Sequence, residues 1–328
     1  MSERWNVVVP DRLAPPADVE QAVFGERAVV TALNVKTEDA LRGKIEDADA
    51  ILAWHDLRWT APVLATLRRC KVIVRVGVGF DNVDLAAARS RGIAVCNVPD
   101  YGTHDVADHA IALLLALARG LVGYQHNARN GAWAWGTAPS FRVTDKMLGI
   151  VGLGRIGTAT AQRAKALAMR VGFYDPYKPA GWDKALGLER FDTLADLAAA
   201  ADVVSLHVPL TAETRGMIGR EFFAAAKPGV VLVNTARGPV VDWAAFSAAF
   251  RERHVRSAGF DVLPDEPPDT SDPLVAAWIA GDQDARDRLV ITPHCAFYSS
   301  EALVEMRDKA AREALRVLSG VRPLNLVN

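Results

Sequence analysis

Three charged residues that can do chemistry follow short apolar runs that predict buried strands. Arg237 closes VVLVNTAR, Glu266 lies in GFDVLPDEPP, and His294 follows LVITP. An arginine at a strand end can bind a carboxylate through two parallel hydrogen bonds, although a surface ion pair explains Arg237 alone equally well. A histidine with a carboxylate beside its ring is suited to proton transfer near neutral pH. The sequence therefore predicts an acid/base site around His294.

A glycine-rich turn after another apolar run offers a second candidate site. The stretch RVGVGFDN, residues 75–82, places two glycines directly behind a predicted strand. Backbone amides exposed by such a turn can hold a carboxylate, and an ordinary tight turn explains the glycines equally well.

A third stretch predicts a nucleotide-binding unit. The apolar run 148–151 opens directly into GLGRIG, which fits G-x-G-x-x-G and is followed by an alanine-rich helical segment. Gly152 allows the tight turn, Gly154 lets backbone amides approach a pyrophosphate, and Gly157 lets helix and strand pack closely. The helix N-terminus favours the phosphate charge. The predicted cofactor-binding residues of this loop are Gly152, Gly154, Arg155, Ile156 and Gly157.

Asp175 ends the second predicted strand of this unit, 175 − 152 = 23 residues after the first glycine. This spacing is near that of an acid that binds ribose hydroxyls. A carboxylate there accepts a hydrogen bond from a 2′-OH and repels a 2′-phosphate, so NAD(H) is favoured over NADP(H). The alternative is a glycine turn in an ordinary βα unit. The order of strand, helix, second strand and aspartate favours dinucleotide binding.

Composition excludes several classes of protein. The chain has 328 residues, half of them hydrophobic, and a net charge of −1, which predicts two domains and no nucleic-acid surface. The three cysteines show no C-x-x-C spacing, and no His/Cys cluster predicts a metal. The N-terminal apolar run is too short for a signal peptide, and the most apolar helix, residues 111–118, is too short to span a membrane. We therefore predict a cytoplasmic protein without a nucleic-acid or membrane partner.

Strand and helix signals alternate along the chain with short connections, which predicts α/β architecture with parallel sheets. We expect two doubly wound domains with a cleft between them. Residues 1–102 plus 293–328 form the predicted substrate domain, and residues 103–292 form the predicted nucleotide domain.

Four local predictions accompany this division. Residues 37–48 are predicted as a helix, and a long helix is predicted from Thr103 to about Gly131. Six strands are predicted in the nucleotide domain. Residues 265–287 are rich in proline and aspartate and are predicted as a polar surface insertion.

Seven blocks of the chain resemble the D-isomer-specific 2-hydroxyacid dehydrogenase family, in the family's order and over most of the length. They are VGVGFDNVD, AVCNVPDYGTHDVADHA, GIVGLGRIG, FYDPY, NTARG, GFDVLPDEPP and TPHCAFYS. The stretches RVGVGFDN, ALGLERFDTLADL and HCAFYSSEA look closest to the C-terminal-binding-protein-like branch. The resemblance implies a flavodoxin-like substrate domain and a Rossmann NAD domain.

The resemblance also implies catalytic and cofactor-binding roles. Arg237, Glu266 and His294 match the family's catalytic set, and Asp261 matches the acid near the nicotinamide. The further cofactor-binding matches are Val106, Asp175, Val208, Thr235 and Ala236.

Substrate binding is implied for residues of the predicted substrate domain. Val78 and Gly79 match the loop amides that hold the substrate carboxylate, with Arg75 nearby. Trp54 and Phe297 depart from the branch, which has tyrosine and tryptophan at these positions. They predict an apolar end to the substrate pocket, with no Lys/Arg pair there for a phosphate.

These observations predict an NAD(H)-dependent D-2-hydroxyacid dehydrogenase acting on a small 2-oxo or 2-hydroxy acid, without a metal. The alternative is an NAD(H)-sensing binding protein or corepressor-like scaffold with residual dehydrogenase activity. The presence of Arg237, Glu266 and His294 together favours the enzyme. A dehydrogenase for amino acids or sugars on the same fold would not need this set. The apolar helix that begins at Thr103 predicts a homodimer.

Overall fold

The computed structural model describes residues 4–328, which separate into two compact units. The first unit comprises Met1–Gly102, of which residues 1–3 lie outside the described part, together with Tyr298–Asn328. The second unit is Thr103–Phe297. The chain thus returns to the first unit at Tyr298 rather than at the predicted residue 293, so His294 and Phe297 belong to the second unit.

Twelve strands and thirteen helices occur within residues 4–328. The strands are β1 Trp5–Val9, β2 Ala28–Ala32, β3 Ala50–Ala53, β4 Val72–Arg75, β5 Ala94–Asn97, β6 Met147–Val151, β7 Arg170–Tyr174, β8 Glu189–Arg190, β9 Val203–Leu206, β10 Val230–Asn234, β11 Val255–Phe260 and β12 Leu289–Ile291. The helices are α1 Asp18–Phe24, α2 Ala61–Thr66, α3 Leu85–Ser90, α4 Thr103–Ala118, α5 Leu121–Arg129, α6 Arg155–Ala166, α7 Trp182–Leu186, α8 Leu194–Ala200, α9 Arg220–Ala225, α10 Trp243–Arg251, α11 Pro273–Ile279, α12 Gln283–Arg288 and α13 Ser300–Leu318.

Each unit is built on one parallel sheet. The first unit has strand order β2-β1-β3-β4-β5, and every pairing in it is parallel. The second unit has strand order β12-β11-β10-β9-β6-β7-β8, also with parallel pairings throughout. The first order is that of flavodoxin-like folds, and the second extends the Rossmann order by one edge strand. The predicted fold class is confirmed.

The strands are apolar because both faces of each sheet are covered. Every residue of β3, β6 and β10 is buried, as expected for parallel strands with helices on both sides. In the second unit α4 packs against the sheet with Ile111, Leu113, Leu114 and Leu117 in one core cluster. Gly259 of β11 allows this close approach, because a Cβ there would lie 3.0 Å from Cβ of Leu113.

The single helix predicted from Thr103 to about Gly131 is wrong, because the helix is interrupted at Gly120. Gly120 adopts a left-handed conformation with φ of 59°, and α4 and α5 meet there at 57°. Among the described residues no single helix is long and apolar enough to cross a membrane, and only this bent pair passes that test of length and composition jointly. Half of α4 is buried in the core of its own unit.

Two further local predictions are wrong. Residues 37–48 contain a short 3₁₀ turn, Glu38–Leu41, and no α-helix. The second sheet has seven strands instead of six, because the two-residue β8 has no apolar pattern. The region 265–287, predicted as a polar surface insertion, contains α11 and most of α12, each capped by an aspartate.

Candidate active site

The glycine-rich loop between β6 and α6 has the geometry that its residue types predict. Gly152 has φ of 90°, and a Cβ there would lie 2.7 Å from Cγ1 of Val208. A Cβ on Gly157 would lie 2.2 Å from the carbonyl oxygen of Gly152, so the helix can approach the strand only without a side chain. A Cβ on Gly154 would meet no atom within 4 Å. The loop is therefore tightly packed on one side and open at Gly154, which fits a bound pyrophosphate.

Asp175 follows β7 and is oriented by backbone amides. Its Oδ2 accepts a hydrogen bond from the Leu153 N–H at 2.9 Å, and its Oδ1 accepts one from the Tyr177 N–H at 3.0 Å. An ionised carboxylate has further lone pairs on both oxygens. The carboxylate is thus fixed beside the glycine loop and keeps acceptor capacity for ribose hydroxyls.

Other predicted cofactor residues follow the carboxyl ends of neighbouring strands in the same parallel sheet. Val208 lies beyond β9, whereas Thr235 and Ala236 come directly after β10. The hydroxyl of Thr235 is buried and makes no hydrogen bond to another described residue. Val106 lies in the first turn of α4 and is 7% exposed. An unpaired buried hydroxyl at the ligand edge of an open α/β sheet fits a polar ligand there.

Gly238 brings the segment that carries Arg237 against the segment that carries Glu266. A Cβ on Gly238 would lie 1.9 Å from the carbonyl oxygen of Leu263 and 2.5 Å from the nitrogen of Pro264. Only glycine permits this backbone contact. The Arg237 Nη1 also donates to the Ala236 carbonyl at 2.8 Å, which orients the guanidinium. The sequence analysis did not identify Gly238, although it follows Arg237 directly.

The side chains of His294 and Glu266 form a hydrogen bond. Nδ1 of His294 lies 2.7 Å from Oε2 of Glu266, and the two side chains are 22% and 37% exposed. Burial by itself raises the pKa of Glu266. The hydrogen bond and charge of His294, the Leu263 N–H and the Arg237 charge outweigh burial and lower it below its usual value. Glu266 is therefore ionised at neutral pH, and its carboxylate accepts the hydrogen bond from the His294 ring.

His294 sits in a turn that the buried carboxylate of Asp261 holds in place. Oδ1 of Asp261 accepts the Cys295 N–H and Oδ2 accepts the Ala296 N–H, each at 2.9 Å, and the Asp261 carbonyl accepts the His294 N–H at 2.8 Å. His294 has φ of 50°, a conformation that non-glycine residues rarely adopt. Asp261 thus acts on His294 through the backbone, a role that the sequence analysis did not assign.

A buried network continues from Asp261 into α4. Oδ1 of Asp261 accepts the Thr292 hydroxyl at 2.6 Å, and Thr292 Oγ1 lies 2.9 Å from Nε2 of His109. Ligand atoms of His109, Asp261 and Cys295 all lie within 4.8 Å of one another, a cluster not apparent from their spacing in the sequence. Hydrogen bonds to Thr292 and to backbone amides already use the His109 and Asp261 atoms. The cluster is therefore explained without a metal.

The glycine turn after β4 lies in the first unit. Arg75 is 5% exposed, and its Nη1 donates to the Val76 carbonyl at 2.5 Å. The Val78 carbonyl accepts from the Asn97 side chain at 2.7 Å, which ties the turn to β5. The N–H groups of Val78 and Gly79 donate no hydrogen bond to another residue in the described chain. Both amides therefore fit the predicted carboxylate site.

The two aromatic residues predicted for the substrate pocket belong to different units. Trp54 follows β3 and is 4% exposed, and its backbone N–H donates to buried Asp11 at 2.9 Å. Phe297 packs edge-on against His294, with ring centroids 6.3 Å apart. The pocket that the two side chains are predicted to share stays a prediction.

Comparison with known proteins adds a family assignment to this geometry. Residues 111–296 match the model of the D-isomer specific 2-hydroxyacid dehydrogenase, NAD binding domain. The chain is 37% identical over 289 residues to a glyoxylate reductase of Korarchaeum cryptofilum, covering 87% of this chain and 84% of that protein. The chain belongs to the D-isomer specific 2-hydroxyacid dehydrogenase family. The predicted family is confirmed, and the family supports NAD(H) as the cofactor.

Two further proteins are similar to this chain over nearly its whole length. A D-3-phosphoglycerate dehydrogenase of Mycobacterium tuberculosis is 38% identical over 314 residues, which cover 96% of this chain and 57% of that protein. The chain thus spans little more than half the length of this relative. The TT0316 protein of Thermus thermophilus superposes with a TM-score of 0.86 at 36% identity, covering 98% of this chain and 100% of that chain. These matches do not test the predicted branch within the family.

Proposed function

We propose that the protein is an NAD-dependent D-2-hydroxyacid dehydrogenase. The observation that carries the proposal is the His294–Glu266 pair at 2.7 Å, which occurs in the same unit as the glycine-rich loop and Asp175. A protonated histidine held by a carboxylate is the acid that reduction of a 2-oxo acid requires. NAD(H), when bound, supplies the hydride chemistry at C2 of the substrate.

The proposed roles of the protein residues follow from their charges and partners. Arg237 binds the substrate carboxylate, because its guanidinium offers a fork of donors beside the acid/base pair. His294 donates a proton to the oxo oxygen in reduction and accepts it in oxidation. Glu266 keeps His294 charged and oriented. In the first unit, the amides of Val78 and Gly79 bind carboxylate oxygens, with Arg75 holding their turn.

The test is a turnover screen of 2-oxo acids with NADH. We expect reduction of at least one substrate, and we expect His294→Asn to lower kcat by roughly 10²–10⁴, the usual range for losing general acid–base help. Tight NADH binding without turnover of any 2-oxo acid would instead favour the NAD-sensing alternative. Equal turnover by wild type and His294→Asn would contradict the assignment of the acid.

We propose a medium-sized apolar 2-oxo acid as substrate. Trp54 and Phe297 are large apolar side chains, and the sequence predicts no Lys/Arg pair beside them for a phosphate ester. One relative is named a D-3-phosphoglycerate dehydrogenase, so the informative competitor is 3-phosphohydroxypyruvate. Competition kinetics with equal concentrations decide the point: preference for the phosphate ester would reverse the assignment.

We propose a homodimer formed through the surface that follows α4. The predicted dimer surface was α4 itself, but its apolar face is largely buried in its own unit. The exposed apolar residues lie just beyond it: Leu121 and Val122 are 55% and 37% exposed, and Trp133 and Trp135 are 90% and 94% exposed. Such a cluster of exposed tryptophans is typical of an interface.

The cytoplasmic location stays a prediction.

A further inference from the structure

We propose that a pocket at the amino end of the second sheet binds a small carboxylate with an apolar body. The pocket measures about 800 Å³, lies wholly within the second unit, and is lined in part by Leu117, Pro139 and Phe141. Arg256 and Ser257, at the start of β11, also line it. The candidate cofactor residues follow the carboxyl ends of the parallel strands. This pocket lies at the amino ends of the strands and is therefore a separate site.

A bulge in β11 explains how two consecutive residues line one pocket. Val255 pairs with Val230, and the next paired residue on β11 is Ser257, opposite Val231, which leaves Arg256 as an extra residue. Consecutive side chains of a regular strand point to opposite faces of a sheet. A bulge re-aims a side chain and is rare between parallel strands. The irregularity therefore places the guanidinium of Arg256 and the hydroxyl of Ser257 at the same pocket.

A buried arginine holds this bulge in shape. Arg288 is 6% exposed, and it donates to the carbonyls of Arg256 at 2.8 Å, Phe250 at 2.7 Å and Val255 at 2.8 Å. Its Nη1 pairs with Asp284 at 2.5 Å. The carbonyl groups of Val255 and Arg256, at the bulge, thus have a hydrogen-bond donor. This part of the pocket lining is therefore held in place before any ligand binds.

The charge balance of the lining leaves Arg256 for a ligand. Asp284 also pairs with Arg253 at 2.8 Å, and Asp287 pairs with Arg286 at 2.8 Å. Asp282 caps α12 by accepting the Ala285 N–H. Arg256, by contrast, has no ion-pair partner among residues 4–328. The carboxylates around the pocket are therefore engaged, whereas one guanidinium is not.

The neighbours of Arg256 favour a carboxylate ligand. Its Cζ lies 4.8 Å from the centroid of the Phe141 ring. A guanidinium held over an aromatic face keeps its N–H donors in its own plane, where they can bind a carboxylate through two parallel bonds. Ser257 is 5% exposed, and its hydroxyl makes no hydrogen bond to another described residue. A carboxylate is therefore the ligand that suits the Arg256 guanidinium and the Ser257 hydroxyl. Leu117 and Pro139 offer contact for an apolar body.

Titration calorimetry of the full chain with benzoate tests the site, and benzamide serves as the uncharged analogue. We expect benzoate to bind and Arg256→Met to weaken binding at least about ten-fold, the loss typical of a charge-assisted hydrogen bond. Ser257→Ala should weaken it about three-fold or more. Arg170→Met, which removes an exposed arginine at the start of β7, is the matched control and should stay within two-fold of wild type.

Arg237→Met separates this pocket from the proposed substrate site. We expect a benzoate-binding event that survives Arg237→Met and is lost in Arg256→Met. Binding that is lost only in Arg237→Met would overturn the proposal, as would equal affinity for benzamide or no benzoate binding by wild type. If Arg256→Met does not fold, the smaller Ser257→Ala change decides: unchanged affinity in that variant also overturns the site.

Discussion

His294 owes its proposed role to one neighbouring charge. The carboxylate of Glu266 accepts a hydrogen bond from the ring at 2.7 Å, and Glu266 itself has a lowered pKa despite the opposing effect of burial. The Glu266 carboxylate is therefore charged at neutral pH, and it is neutralised only as pH falls through its lowered pKa.

Replacing Glu266 by Gln keeps the shape of the side chain and removes its charge. Without the anion the imidazolium loses its stabilising partner, so the decline of kcat/KM for 2-oxo-acid reduction should begin at lower pH. The oxidative limb should move in the same direction. The measurement is kcat/KM against pH, with Asp265→Asn as the control because Asp265 is the exposed neighbouring carboxylate. Superimposed wild-type and Glu266→Gln profiles would exclude Glu266 as the tuning group.

Asp175 is the residue expected to select the cofactor. Asp175→Asn retains an acceptor for the Leu153 or Tyr177 amide and removes the charge that repels a 2′-phosphate. Like charges in contact cost several kcal/mol, so the ratio of kcat/KM for NADPH to that for NADH should rise roughly ten-fold or more. Asp183→Asn, in α7, provides the control. A wild-type preference for NADPH would contradict the assignment at once.

At the scale of secondary-structure elements, Gly238 decides how the exit of β10 meets the segment that carries Glu266. Gly238→Ala should move these segments apart, because its Cβ would lie 1.9 Å from the Leu263 carbonyl oxygen. We expect kcat/KM to fall by more than about ten-fold, since small displacements of positioned groups are costly. In the control Gly219→Ala, the new Cβ would lie 3.0 Å from the Gly216 carbonyl oxygen, a contact that needs only a small shift. Equal activities of the two variants would exclude this positioning role.

A buried ion pair attaches α13, the helix with which the chain returns to the first unit, to α1. Arg307 donates to both Glu20 oxygens at 2.8 and 2.7 Å and to Asp18 at 2.9 Å, and Glu20 is 1% exposed. Arg307→Met leaves the Glu20 charge buried without its cation, which should lower the free energy of unfolding by about 3 kcal/mol. Arg312→Met, which breaks an exposed pair with Asp308 on the same helix, should change it by less than about 0.5 kcal/mol. Chemical denaturation compares the two variants.

At the scale of the whole molecule, the proposed dimer depends on the exposed tryptophans beyond α5. Trp133→Asp with Trp135→Asp should convert a dimer to a monomer, because burying two charges at an apolar interface is costly. Light scattering at micromolar concentration measures the mass. Ile279→Asp, which changes another exposed apolar residue of the same unit, should leave the mass unchanged. A wild-type monomer would rule out the dimer.

The sequence alone determined the fold class and the local chemistry of the nucleotide loop. Apolar runs followed by glycines and alternating with helical segments can form only buried parallel strands with crossover helices, and the positions of Gly152, Gly157 and Asp175 follow from their spacing within one βαβ unit. These features depend on residues that are close in the chain.

Tertiary structure decided what spacing cannot show. The contact of Gly238 with Leu263, the hold of Asp261 on the turn of His294, and the bulge at Arg256 all join segments that are far apart in sequence. Local preference also failed where packing overrode it: the apolar periodicity after Thr103 continues past Gly120, but the left-handed backbone there ends α4. Residue types dictate which interactions each segment is able to make, and only the packed chain determines which partners satisfy them.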